Sequence, residues 1–178
     1  MKNITAVYFS PTGGTKKACM ALASAMSQDV KEVDLCTSDW EWTFGPGDVV
    51  IVGMPVFGGR IPGFAAEKLK HWRGNGAVAG TAAVYGNRAF EDALLELDDC
   101  LKAQGFRIAA GTALLAEHSM VGDIASGRPD EQDMEDIRSF AARILYKLQE
   151  EGFMEETWLP LKTQETSVPV DPDSRLSA

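Results

Sequence analysis

The stretch YFSPTGGTKKA, Tyr8–Ala18, leaves an apolar run and spends six positions, Ser10–Thr15, on a serine, a proline, two threonines and two glycines. Upstream, ITAVYF (Ile4–Phe9) is rich in β-branched and aromatic residues and reads as a strand. Downstream, Ala18, Cys19, Leu22, Ala25 and Met26 recur at helical spacing, which predicts a helix from about Lys16 to Ser27. The loop therefore opens a helix, where unpaired N–H groups and the helix dipole favour a negative charge. Ser10, Thr12 and Thr15 add hydroxyls around Pro11, and Gly13 and Gly14 let the backbone come close to a ligand. The pattern is neither GxGxxG nor GxxxxGK[ST], which argues against a dinucleotide or nucleoside-triphosphate loop. Lys16 and Lys17, just inside the helix, could add charge or face water. The plain alternative is a capped turn with no ligand.

Working outward, VKEVDL (Val30–Leu35) is a half-polar strand, as suits a position near a sheet edge. DVVIVGMPV (Asp48–Val56) is an unbroken apolar run, the pattern of a parallel strand covered on both faces. A short helix is expected around Gly63–His71 and a strand of small residues over Gly80–Gly86. A third helix is expected over Ala89–Gln104, with Phe90, Ala93, Leu94, Leu97 and Leu101 on one side and Gly105 ending it. The fifth strand, Phe106–Ala116, is expected to break at Gly111. The last helix, about Asp130–Glu151, has an apolar face of Met134, Ile137, Ala141, Ile144, Leu145 and Leu148. Strands alternating with helices in this way imply an α/β fold with an open parallel sheet and helices on both faces. In such a sheet ligands sit outside the carboxyl ends of the strands, where the winding reverses.

The 178 residues suit about one domain, and 45% hydrophobic with 24% charged residues is ordinary for a globular chain. A formal charge of −9 argues against nucleic acid as a partner and permits docking on a basic protein face. Cys19, Cys36 and Cys100 are far apart and form no CxxC pair, so neither a metal site nor an iron–sulfur cluster is expected, and free thiols suit a reducing cytoplasm. Cys19 and Cys100 fall on apolar helix faces, where packing is the expected role. The first residues run straight into a short apolar stretch rather than a signal sequence, and no apolar stretch is long enough to span a bilayer.

Two further loops follow predicted strands. GMPVFGGRIPG, Gly53–Gly63, carries Pro55, Val56, Phe57, Gly58, Gly59 and Arg60. An aromatic beside two glycines suits a flat ring with backbone pressed to its edge, and Arg60 offers a planar cationic fork; the alternative is a Pro/Gly turn with Phe57 packed inward. VYGNRAFED, Val84–Asp92, offers the Tyr85 ring and a Gly86–Asn87 turn, followed by Arg88. His118 and Ser119 lie near the same sheet edge, with no assigned role as the competing reading for the histidine. His71 is read as a helix-end residue favouring the dipole, and Trp40 and Trp42 as packing over the second strand, with contact to a partner as the alternative.

These three loops carry a family resemblance. The chain resembles flavodoxins, and more narrowly the flavodoxin modules fused to bacterial-type ferredoxins, through YFSPTGGTKK, GMPVFGGRIPG and VYGNRAFEDALLEL, over about residues 3–150. The resemblance implies a flavodoxin-like three-layer α/β/α sandwich with a five-stranded parallel sheet in the order 2-1-3-4-5. It implies an FMN-binding domain over residues 1–152, with 153–178 a C-terminal tail, packed or partly disordered; Trp158–Leu159 favours some packing. It implies FMN as cofactor, its phosphate held by Ser10, Pro11, Thr12, Gly13, Gly14 and Thr15, and its ring flanked by Pro55–Arg60, Tyr85–Arg88 and, more loosely, His118. The function implied is electron transfer between redox partners such as a ferredoxin or an oxidoreductase, by a cytoplasmic monomer or homodimer without catalytic residues of its own.

Two departures from the family shape the expectations. No CxxCxxCxxxCP run follows, so electrons are expected to pass to a separate partner. The second loop has Gly58-Gly59-Arg60 where electron-carrier flavodoxins usually place acidic neighbours. Arg60 and Arg88 are therefore expected near the ring, making its second reduction easier, with Gly58 able to turn its peptide toward it. The competing readings are an FMN-dependent NAD(P)H or quinone reductase, with a substrate shelf over 118–128, and a flavin-binding sensor module without fast electron exchange.

Overall fold

Alternation of covered strands with amphipathic helices produces the expected layers. A computed structural model describes residues 3–86, 89–117, 123 and 125–150. Asn87, Arg88, His118 and the tail 153–178 with Trp158–Leu159 lie outside the described residues. The elements are β1 (Asn3–Tyr8), α1 (Gly14–Met26), β2 (Val30–Asp34), β3 (Asp48–Pro55), α2 (Gly63–Leu69), β4 (Val78–Tyr85), α3 (Ala93–Ala103), β5 (Arg107–Leu115) and α4 (Glu131–Gln149). The five strands form one parallel sheet in the order β2-β1-β3-β4-β5. The chain moves outward from β1 to β2, then returns to place β3 on the other side of β1, so the winding reverses between β1 and β3.

Alternation along each strand splits the apolar residues between two cores. Tyr8, Val49, Ile51 and Val84 pack with Leu22 of α1 and Ile137, Phe140 and Ile144 of α4. Val7, Val50, Val52 and Met54 pack with Leu69 of α2 and Leu94, Leu97 and Leu101 of α3. β3 is buried along nearly its whole length, and β2 at the rim is half-exposed. No described helix is long and apolar enough to cross a membrane.

Three differences from the sequence expectations have physical causes. The third helix begins at Ala93 rather than Ala89, after Glu91 takes a left-handed backbone, φ 42°. Phe90, expected on the helix face, precedes it and packs against Tyr85. β5 does not break at Gly111; its irregularity is at Ala109, which the pairing with β4 skips between Ala79–Ile108 and Gly80–Ala110. The Ala109 carbonyl accepts a hydrogen bond from Lys147 Nζ at 2.9 Å. Gly111 has another use: a methyl group there would fall 2.8 Å from Thr81 Oγ1, whose hydroxyl donates to Asp98 Oδ1 at 2.7 Å between sheet and helix.

Around Trp40, Lys68 is buried and donates to the carbonyls of Leu35 and Ser38, each at 2.8 Å, beneath the rings of Trp40 and Phe64. This ties the segment after β2 to α2. Trp42 stacks beside Phe44 and Trp72, so packing accounts for it, whereas Trp40 remains substantially exposed and edges His71 and Phe64. Cys19 is fully buried, its thiol within 3.4 Å of the Val7 carbonyl and 3.6 Å of the Ile51 carbonyl, and burial pushes its pKa up to about 12. It is packing material, not a nucleophile.

Helix α1 comes close to the sheet at Gly53, where an added Cβ would lie 2.8 Å from Cys19 Cβ and 3.1 Å from its sulfur. Gly53→Ala is expected to destabilise the chain by about 1–3 kcal/mol in urea melts through overpacking. Gly47→Ala, where nothing lies within 4 Å, is expected to stay within about 0.5 kcal/mol of the parent.

Candidate functional site

At the carboxyl ends of β1, β3, β4 and β5 the following segments enclose a cleft of about 530 Å³, within the ~300–1,000 Å³ of ligand-binding clefts. It lies at the winding reversal between β1 and β3. The first loop contributes Ser10, Pro11, Thr12, Gly14 and Thr15; the second contributes Pro55, Val56, Phe57 and Gly58; the third contributes Tyr85 and Gly86. Val84, Ala116 and Glu117 complete the lining. Those last two follow β5, and the rule placing ligands beyond strand ends could have pointed to them.

The first loop is built to leave donors free. Gly13 caps α1 with φ 91°, and the cap has no side-chain hydrogen bond of its own. Instead Ser10 Oγ accepts from the Lys16 N–H at 2.9 Å, and the Gly13 carbonyl accepts from the Lys17 N–H at 3.0 Å. The Gly13 N–H reaches back to the Ser10 carbonyl at 3.4 Å. The amides of Gly14 and Thr15 remain, with no acceptor among the described residues, at the positive end of the helix. The Ser10 hydroxyl proton is also left to donate, since its oxygen is used as an acceptor.

The cations near this loop point elsewhere. Lys16 donates to Glu32, which also accepts from the Tyr8 hydroxyl, and Lys17 reaches the Pro129 carbonyl at 3.4 Å. The Lys16 ammonium, followed by the Tyr8 hydroxyl, holds the Glu32 carboxyl below its usual range. Of the charged side chains described here, Glu117 alone lines the cleft.

The second loop closes as a two-glycine hairpin: Phe57 and Arg60 exchange backbone hydrogen bonds of 2.8 and 3.2 Å. Gly58 and Gly59 have φ 59° and 79°, so both central residues need the left-handed backbone that glycine adopts cheaply. Phe57 is half-exposed at the cleft.

Arg60 departs from its sequence expectation. Its Nε and Nη2 donate to the Glu96 carboxylate at 2.8 and 2.7 Å, on the α3 side of the turn, and it does not line the cleft. A carboxylate in the first turn of a neighbouring helix captures the fork that loop composition alone would offer to a ligand. Gly13 and Gly59 shape their turns without lining the cleft. Asn87, Arg88 and His118 lie outside the described residues.

The segment after β5 is anchored to the start of α4. Glu117 N–H donates to the Arg128 carbonyl, and Glu117 Oε2 accepts from Gly127 N–H, both at 3.2 Å. Arg128 in turn pairs with Asp133 through both Nε and Nη2. Asp133 and Asp130 form a reciprocal cap at 3.0 and 2.8 Å. No group of acidic, cysteine or histidine side chains suited to a metal occurs among the described residues.

Comparison with known proteins agrees with this architecture. No protein-family model matches the chain, and no curated protein matches its sequence. Among solved structures, it superposes on the rubredoxin oxygen:oxidoreductase of Desulfovibrio gigas with TM-score 0.62 and 19% identity, covering 83% of this chain and 36% of that one. The chain thus spans about a third of that protein. A short-chain flavodoxin associated with a non-canonical PDU bacterial microcompartment gives TM-score 0.61 and 19% identity, over 82% of this chain and 98% of that one. An NADH:FMN oxidoreductase in its apo form gives 0.61 and 16%, over 88% and 95%. The fold is that of the flavodoxins, as the three loops led us to expect.

The Asp133 carboxyl is pushed up by burial, but its bonds to Arg128 and Asp130 outweigh this and leave it below the usual Asp range. A depressed carboxyl stabilises the fold above its unfolded value near ~3.9 and loses that contribution as pH falls through the lower folded value. The stability gap between the parent and Asp133→Asn in urea melts is expected to be constant from about pH 7 to 5 and to shrink below about pH 4. A gap that stays unchanged down to about pH 2 would show that the ionised pair contributes nothing.

Proposed function

We propose that the cleft binds FMN and that the chain is a flavodoxin-like electron carrier between two redox proteins. The observation that carries this reading is the first loop. Two first-turn amides and a set of hydroxyls face the cleft with no cation among the described residues that line it, next to a recess lined by Phe57 and Tyr85. That donor set suits a phosphomonoester, which needs several short hydrogen bonds from groups that can approach closely. A methyl group at Gly14 would sit 3.5 Å from Ala116 Cβ, so glycine keeps the floor of this corner open. The ring-lined part of the cleft suits a flat heterocycle.

FMN, when bound, supplies the one- and two-electron chemistry, and the protein supplies binding, orientation and electrostatics. Gly14, Thr15, Ser10 and Thr12 would hold the phosphate. Phe57 and Tyr85 would cover the ring and exclude water. The Gly58 peptide, in a turn where both glycines adopt φ > 0, can present its carbonyl to a ring N–H. With Glu117 the charged side chain lining the described cleft, the protein adds no described cation to favour negative charge on the ring. The partners fitting this role are ferredoxin-type proteins or oxidoreductases. The reductase reading keeps one point of support, the likeness to an NADH:FMN oxidoreductase over nearly all of both chains.

FMN titration followed by flavin fluorescence quenching tests the assignment. Tight binding is expected, with riboflavin roughly 10- to 100-fold weaker because charge-assisted bonds to the phosphate are lost. Thr12→Ala is expected to weaken FMN and leave riboflavin unchanged. Equal affinities for the two flavins would remove the phosphate from the first loop, and no binding of either would remove the flavin. NADH alone is expected to leave bound FMN oxidised; rapid NADH oxidation would favour the reductase.

A further inference from the structure

The Phe57–Arg60 turn is gripped from behind by carboxylates that the expected function does not require. Glu96 on α3 accepts three hydrogen bonds: from Arg60 Nε at 2.8 Å, from Arg60 Nη2 at 2.7 Å and from the Ile61 backbone N–H at 3.0 Å. Glu91, just before α3, packs its side chain on Gly59, where an added methyl group would fall 2.7 Å from its Cδ. The cleft side is different: a methyl group at Gly58 would meet nothing within 4 Å. The turn is therefore fixed at Gly59, Arg60 and Ile61 and open at Gly58, the residue lining the cleft.

The same grip decides where a charge sits. Arg60 is largely exposed and otherwise free to turn about its long side chain, and its fork is complete only on Glu96. Asp92 lies near enough to reinforce that placement. The Arg60 guanidinium, its nearest partner, holds the Glu96 carboxyl below the usual Glu range, so the pair is ionised at neutral pH.

We propose that Glu96 is a positioning residue that anchors the Arg60–Ile61 arm of the turn, confines backbone rearrangement to Gly58, and withholds the Arg60 cation from the cleft, thereby setting the reduction potential of the bound flavin. This rests on the FMN reading of the cleft, but the anchoring itself is a property of the flavin-free chain. Glu96 would act through Arg60 and the Ile61 amide, without touching the ring.

Two measurements on the full chain separate the parts. In flavin-free protein, Glu96→Ala is expected to speed amide hydrogen exchange at Ile61 by about tenfold or more, with Val50–Val52 of β3 unchanged. Glu96→Gln keeps an acceptor for the Ile61 amide and is expected to preserve that protection. In FMN-loaded protein, Glu96→Ala is expected to move the potential to less negative values, because a carboxylate is lost and a cation released. Arg60→Ala is expected to move it to more negative values, and the double variant to lie near the parent. Unchanged Ile61 exchange in Glu96→Ala would overturn the anchoring. Unchanged potentials in both single variants would overturn the tuning. If the parent takes up no FMN while Ile61 is still released in Glu96→Ala, the flavin reading fails and the tuning with it, and the anchor stands.

Discussion

Helix α1 lies on β3 at Gly53, where the strand contributes no side chain, and the position of the cleft follows from that contact. The Cys19 Cβ and sulfur and the Thr15 methyl occupy the space a Cβ would need. The helix start is thereby held beside the reversal between β1 and β3, and the Gly14 and Thr15 amides are delivered to the sheet edge. Because α1 also packs against α4, a helix pushed outward by one methyl group would disturb that apolar contact as well.

A second regularity concerns charge. Lys16 is paired with Glu32, Lys17 with a carbonyl, Arg60 with Glu96 and Arg128 with Asp133. Each of these cations stands within a few residues of a loop or segment around the cleft, and each is engaged by a group outside it. An anion bound there, as the FMN reading proposes, would be met by oriented backbone dipoles and hydroxyls, which are fixed by the fold and do not drift as flexible ammonium groups do. On that reading the cleft would distinguish its ligand by shape and hydrogen-bond direction more than by net charge.

Much of this was legible in the sequence because it depends on local pattern. The apolar run Asp48–Val56 marked the central strand, and SPTGGT marked a helix start with spare donors. The order of elements and the meeting of three loops followed from alternation and strand-end topology. What sequence missed depended on partners far along the chain. The fate of Arg60 was set by Glu96, 36 positions away, which no local motif links to the turn. The late start of α3 was set by the left-handed Glu91, whose side chain packs on Gly59 from another segment. The bulge at Ala109 was invisible because alanine fits regular strand and bulge alike; the glycine at 111 was the more conspicuous breaker but served a close approach to Thr81.

That bulge has a consequence for how molecules of this protein meet. A parallel sheet closed by helices on both faces still ends in two rims, and an outermost strand with regular spacing invites another chain to zip alongside it. On β5 the extra residue, Ala109, spoils the spacing, and its carbonyl is taken by the Lys147 ammonium. Edge-on templating at that rim would have to accommodate an irregular spacing, which discourages fibrous growth without any loss from the interior.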